Sequence, residues 1–367
     1  MAKSDLFLND TEDSEPLDGN VEDDASESEE GAPQFTINSY GADYTVDSLV
    51  KRMRTNAFQI PDFQRKYVWS LPHASQFIES LLMGLPVPGI FLYRQPDTNQ
   101  HLVIDGQQRL KTLQAFYDGA FDKGGPDERP FTLVGVRRPW IGKNYDGLEQ
   151  HDQLKLDDSV VHATIFQQEE PREVLDSIFF VFQRINSGGM RLSAQEIRNA
   201  VSQGTLLTMI KELNDLKAWR SIFGSKNRHL KDQELILRFF ALLENAEKYA
   251  RPMTKFLNDY ASSHKNLNAG TVTGLASIFT DTIELLNAEV GKDCFRLVRA
   301  FNAAAFDGVT VGLARRLIQN GAPQKGHVAL AYRKLLQNTA FRAACERATA
   351  DEESVARRLA LATEAFA

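Results

Sequence analysis

The stretch LVIDGQQRLKTLQAF, Leu102 to Phe116, changes its periodicity halfway along. Leu102-Val103-Ile104 reads as a short buried strand, whereas Leu110, Leu113 and Phe116 recur at the spacing of one helix face. The residues between, Asp105-Gly106-Gln107-Gln108-Arg109, include no apolar side chain. A strand that becomes a helix across so short a turn puts that turn at a strand end, where a loop faces solvent or ligand. Any fold for this chain must accommodate the junction.

The rest of the chain extends this mixed pattern. Strand-like pieces at Phe35-Thr36-Ile37, Gly89 to Tyr93, Leu102 to Ile104, Phe131 to Val134 and Val160 to Phe166 alternate with helical pieces at Val46 to Arg54 and Leu71 to Met83. Pro171 opens a further helical pattern through Ile185, which Asn186-Ser187-Gly188-Gly189 stops. Ser193 followed by Glu196 is a capping-box pattern that starts the next helix. Beyond residue 200 helical spacing dominates, most clearly in Gln233 to Leu243, Ala276 to Leu286 and Val328 to Leu336. The parse is an acidic tail at 1–33, an α+β domain at 34–200 and a helical domain at 201–367.

Charge supports the first of these divisions. Twelve of the 49 acidic residues but one of the 42 basic residues fall in positions 1 to 33, so the remainder carries net +4 although the whole chain carries −7. The leader is too acidic and too poor in large apolar residues to pack, which predicts a disordered tail with order beginning near Phe35. The weak positivity that remains is compatible with a polyanionic partner without requiring one. Cys294 and Cys345 have no CxxC companions, and no window offers about 18 consecutive apolar residues, so the chain reads as a soluble cytoplasmic protein. It has no Walker GxxxxGK[ST] loop, HExxH helix or GxSxG elbow.

At the junction two readings stand side by side. If the helix begins just after Asp105, the backbone N–H groups of Gly106, Gln107 and Gln108 face outward and attract phosphate; Arg109 can pair with phosphate oxygens and Asp105 can hold magnesium or orient water. Alternatively Asp105 simply caps the helix in an ordinary Asp-Gly turn. The segment NAFQIPDFQRKYVWS interleaves Gln64 and Arg65 with Phe63, Tyr67 and Trp69, which either stack a base or pack as core around a turn. FQRINSGGMRLSAQEIRNA adds Arg184, Asn186 and a Gly-Gly loop that need do no more than reverse the chain.

Taken in order, IPDFQRKYVW, VIDGQQRLKTL and FQRINSGGMRLSAQEIRNA resemble the signature segments of the DGQQR family, domain of unknown function 262. That family is similar to the N-terminal domain of GmrSD-type, modification-dependent type IV restriction enzymes and of SspE-type effectors. Its core resembles the phosphate-binding segment of the ParB and sulfiredoxin fold. The resemblance implies a pocket for a nucleoside triphosphate, hydrolysis of that nucleotide, and coupling to recognition of modified DNA. Carried over by position, it implies catalytic roles for Asp105, Gln108 and Arg109, with Asp105 on magnesium. It implies phosphate or nucleotide binding by Gln64, Arg65, Gly106, Gln107, Arg109, Arg184 and Asn186.

Many relatives carry a C-terminal histidine-metal nuclease; here His229, His264 and His327 stand alone in sequence without such a run. A separate nuclease or defence subunit is therefore the expected partner, with a second copy of the chain as another candidate. The alternatives are a ParB-like DNA-binding module without turnover, or a nuclease that uses the same domain.

Overall fold

The computed structural model describes residues 21–22, 36–61, 67–95, 100–125, 127–170, 181, 184–185, 193–202, 204–297 and 300–367. The chain forms an α+β part followed by helices, in two compact units. One comprises Glu29–Leu207 with Leu257–Asn266; the other comprises Met1–Ser28, Thr208–Phe256 and Leu267–Ala367.

The first unit is built on a five-stranded mixed sheet. Its strands are β1 (Thr36–Thr45), β2 (Phe58–Gln59), β3 (Ile90–Arg94), β4 (His101–Asp105) and β5 (Val160–Glu170), in the spatial order β1-β5-β3-β4-β2. β1 pairs antiparallel with β5, β3 runs parallel to β5 and antiparallel to β4, and β2 lies parallel to β4. Both faces of the middle strands are covered. Ile90, Leu92, Val103, Val161, Ala163 and Ile165 meet the buried faces of α1 (Val46–Arg54), α2 (Leu71–Met83) and α3 (Gln107–Asp118). On the other face Tyr93, Leu102, Ile104 and Phe166 meet Ile197, Ala200 and Val201 of the helix Ala194–Val201. This double covering explains why Leu102-Val103-Ile104 is apolar without alternation.

Local signals set the helix ends. Thr45 caps α1 by accepting from the Ser48 N–H, and basic Lys51, Arg52 and Arg54 occupy its last turn, where the helix dipole favours them. Ser193 and Glu196 form the expected capping box: Ser193 Oγ accepts from Glu196 N at 3.1 Å and Ser193 N donates to Glu196 Oε2 at 2.6 Å. In the same helix Arg198 is almost fully buried and donates to Asn258 Oδ1 at 2.8 Å, which ties Leu257–Asn266 into this unit.

Two strand expectations need correction. Phe131 to Val134 is not a strand: Phe131 and Leu133 are core residues, but Leu133 exchanges backbone bonds with Lys143 and Gly142 inside a loop, so burial alone made the segment look extended. The first strand instead runs ten residues, to Thr45. Lying at the sheet edge and exposed along most of its length, it shows no apolar pattern beyond its first residues. A further departure lies in the leader, where Val21–Glu22 pairs its backbone with Phe301–Asn302. Ladder bonds use N–H and C=O groups, which an acidic composition leaves intact.

The second unit is helical. Trp219 is fully buried among Phe223, Phe279, Phe301 and Phe306, with ring centroids 5.3–6.1 Å away. The helix Ala303–Asn320 carries Asp307, which is completely buried and is gripped by Arg238 at 2.6 Å and Arg358 at 2.8 Å. Among the described residues no helix is long and apolar enough to cross a membrane.

Candidate functional site

The junction between β4 and α3 stands at one end of the sheet. β4 ends at Asp105, and Gly106 turns the chain with φ 95° and ψ 9° to become the N-cap of α3. Two independent constraints select glycine here. The left-handed backbone is one that L side chains rarely adopt, and an added Cβ would lie 2.9 Å from Ile90 Cβ and closer still to its Cγ2. Close packing on Ile90 is thus a sufficient reason for Gly106, whatever approaches its backbone from outside.

Asp105 does not cap the helix. Gly106 occupies the N-cap, and among the described residues no side-chain cap bond is made there, which removes the ordinary Asp-Gly cap as the explanation of the motif. Asp105 instead accepts from Arg109 Nη2 through Oδ2 at 2.8 Å, and the same Nη2 donates to the carbonyl of Gly89 at 3.0 Å. The Arg109 side chain is 16% exposed and that of Asp105 45%, so the guanidinium sits under the carboxylate. The buried Arg109 Nε and Gln107 Oε1 have no hydrogen-bond partner among the described residues. A buried polar atom without a partner costs about 1–3 kcal/mol, a cost that persists where a function demands it.

A register shift aims the acid. Phe91 pairs with Asp105 while Leu92 pairs with Val103, so Ile104 is the extra residue of a bulge immediately before the site. Such bulges bend the strand and redirect the side chains next to them. Asp105 consequently lies opposite Phe91 and shares its side of the sheet.

The first motif is anchored on the second from both sides. Phe58 and Gln59 pair with His101 and Leu102, the Val68 N–H donates to Gln108 Oε1 at 3.0 Å, and Tyr67 Oη lies 2.7 Å from Thr112 Oγ1. Gln108 therefore has a structural task, holding the neighbouring loop. Tyr67 and Trp69 belong to the core, meeting Phe121 and Phe77 edge-on at 5.4 and 5.6 Å, so they are not free to stack a base. Burial pushes the Tyr67 hydroxyl up to about 12, against a partial offset from its bond to Thr112. Gln64, Arg65 and Phe63 lie outside the described residues, as does Asn186. Arg184 is described on a helical turn and is exposed.

No group of three or more His, Cys, Asp or Glu able to hold a metal occurs among the described residues. Magnesium that arrives with a nucleotide needs only one or two protein carboxylates beside the phosphates. Asp105 fits that smaller demand, because Arg109 engages Oδ2 and leaves Oδ1 for a ligand. His264, in contrast, is stacked on Tyr260 at 4.0 Å with Nδ1 turned to the Tyr260 carbonyl, an ordinary packing role.

Residues 46–202 match the family model for the GmrSD restriction endonuclease, N-terminal domain. The match begins at the first residue of α1 and takes in all three motifs, so the resemblance read from them holds over this segment. It covers less than half of the chain and ends as the helical part begins. No curated protein matches the chain.

Proposed function

We propose that this end of the sheet binds the phosphates of a nucleoside triphosphate and that the chain hydrolyses it. It would act as a DNA-sensing subunit of a phage-defence or modification-dependent restriction system, together with a nuclease on another polypeptide. The observation that carries the reading is the start of α3, which among the described residues has no side-chain cap and lies beside a largely enclosed guanidinium whose Nε has no partner there. A helix N-terminus of this kind favours an anion by about 0.3–1 kcal/mol at an exposed site and up to about 2 where partly buried. The restriction theme rests on the family description matched by residues 46–202.

In this reading Arg109 is fixed by Gly89 and Asp105 through Nη2, and offers its remaining N–H groups to phosphate oxygens. Arg65, three residues before Val68 in the sequence, is assigned to the phosphates by the resemblance of the first motif. Gln64 comes from the same motif, and Arg184 and Asn186 come from the third. Asp105 orients the attacking water. When bound, magnesium would neutralise phosphate charge, held on the protein side by Asp105 Oδ1.

The test is nucleotide titration and phosphate release by the purified full chain with magnesium, with and without modified and unmodified duplex DNA. Turnover supports the reading. Salt-sensitive DNA binding without any nucleotide binding would replace it with a DNA-binding module.

A further inference from the structure

The weak positive charge that remains after the acidic leader is not spread evenly along the chain. Residues 211–231 hold six Lys and Arg against Glu212 and Asp215, a net +4 that equals the whole balance of residues 34–367. The rest of that span is therefore neutral overall. Lys211, Lys217, Lys226, Arg228 and His229 are exposed, whereas Arg220 turns inward to Asp232. Between the helices Lys217–Phe223 and Lys231–Asn245, the loop from Gly224 to Leu230 carries Lys226 and Arg228 and no acid.

A buried polar scaffold fixes this loop from below. Asp232 is completely buried, and its Oδ2 accepts from Asn214 Nδ2 at 2.9 Å, from Arg220 Nη1 at 2.9 Å and from the Asn227 N–H at 3.3 Å. Asn227 Oδ1 in turn accepts from the N–H groups of His229 and Lys231 at 2.9 and 3.2 Å. Leu230 adopts the left-handed backbone, φ 58°, to enter the next helix. A run of solvated cations requires no such support. A surface that presents charge at a fixed spacing gains from it, because groups ordered before binding lose less entropy on binding. Lys226 and Arg228 stand two residues apart, within about 7 Å at their Cα atoms. One strand of duplex DNA offers a phosphate every 3.4 Å or so of axis, about one per rise, so two long cations at this spacing meet neighbouring phosphates.

We propose that the loop Gly224–Leu230 is a contact surface for the sugar-phosphate backbone of duplex DNA, an inference that rests on the DNA-sensing part of the proposed function. Lys226 and Arg228 neutralise phosphates and release their counterions. Phosphate contacts carry no base information, so the loop holds modified and unmodified duplex alike and leaves discrimination to other residues. Asp215, paired with Lys226 Nζ at 2.5 Å on the exposed surface, competes with phosphate for that charge.

The experiment follows the anisotropy of a short labelled duplex, modified or unmodified, titrated with full-length protein across a salt series. Lys226→Ala/Arg228→Ala should flatten the slope of log affinity against log salt by about 1.8, and at about 0.1 M salt this corresponds to roughly 60-fold weaker binding of either duplex. Asp215→Asn, which releases Lys226, should tighten binding, a gain that a merely structural loop would not give. Arg137→Ala/Arg138→Ala removes as much exposed charge from the first unit and should leave affinity and slope at their wild-type values. Melting curves establish that each variant is folded; should the double loop variant unfold, Asp215→Asn decides alone, and no tightening overturns the inference. Wild-type binding that keeps its affinity and slope in the loop variant overturns it and leaves the DNA-sensing reading standing. An equal loss in the Arg137, Arg138 variant does the same, since the attraction is then to overall charge. Wild-type protein that binds no duplex, with or without nucleotide, overturns both.

Discussion

Replacing Gly106 with alanine separates what the fold demands of this position from what a ligand demands. The substitution has two costs on the page. A side chain at φ 95° enters the left-handed region, and the new methyl is driven into Ile90. The first costs about 1–2 kcal/mol for a single residue and the second, as overpacking of a filled core, about 1–3. Gly119, at the other end of α3, isolates the first cost, because it has φ 71° with nothing within 4 Å of an added Cβ. Gly119→Ala should therefore lose about 1–2 kcal/mol, while Gly106→Ala should lose about 2–5, the sum of strain and overpacking. At roughly 2–4 °C per kcal/mol for a unit of this size, the Gly106 variant should melt about 4–20 °C below wild type. Calorimetry or urea titration of the full chain reads both variants. Equal losses at Gly106 and Gly119 would refute the close-packing account and return the glycine to a purely ligand-facing role.

Three further outcomes are expected. Asp105→Ala should abolish nucleotide hydrolysis with the fold retained, and Arg109→Ala should weaken nucleotide binding itself, since charge-assisted bonds to phosphate act in the bound ground state; phosphate release and nucleotide titration separate the two, and full turnover in either variant counts against the site. Tyr67 and Tyr145 have hydroxyls pushed from 10.0 up to about 12, first by burial. With the folded values above the unfolded one, their contribution is intact below pH 10 and is lost as pH rises toward 12, which ultraviolet titration of tyrosinate alongside circular dichroism will follow; titration of every tyrosine near 10 in the folded protein contradicts it. Asp307→Ala strands the buried Arg238 and Arg358 and should cost about 3–5 kcal/mol in urea unfolding, whereas a loss under about 1 would mean that the arginines find other partners.

Local rules carried much of the architecture. The periodic segments at Val46 to Arg54 and Leu71 to Met83 are helices with those same ends, because apolar spacing, the Thr45 cap and the Gly84 stop agree. Ser193 and Glu196 likewise state their capping box in four residues. The pattern was silent where tertiary context decides. An exposed edge strand such as Thr36–Thr45 needs no alternation, and Phe131 and Leu133 are buried by a loop that bonds to its own chain. At the site, the sequence showed that Asp105 at the strand end and Arg109 in the first helical turn stand four apart. It could not show that Gly106 is held by Ile90 or that Gln108 holds the backbone of Val68, since these are contacts between segments far apart in sequence.

The Asp105–Arg109 pair also limits how the site can work. One guanidinium nitrogen serves both the Gly89 carbonyl and the carboxylate, so the plane of Arg109 is set before any phosphate arrives. Under the proposed function a phosphate would meet a fixed fork, which would spare the rotamer entropy a free arginine loses on binding. Lysine cannot replicate this, because one ammonium point charge cannot hold Gly89 and Asp105 while presenting further planar donors. Asp105 faces the complementary demand. Its Oδ2 neutralises Arg109 before binding and would compete with phosphate for the same charge if it were the carboxylate's only role. In the proposed function, a cation or water drawn to Oδ1 would relieve that competition, since the acid would then act on the ligand rather than against it. Arg109→Lys should therefore impair nucleotide binding almost as much as Arg109→Ala, although it preserves the charge.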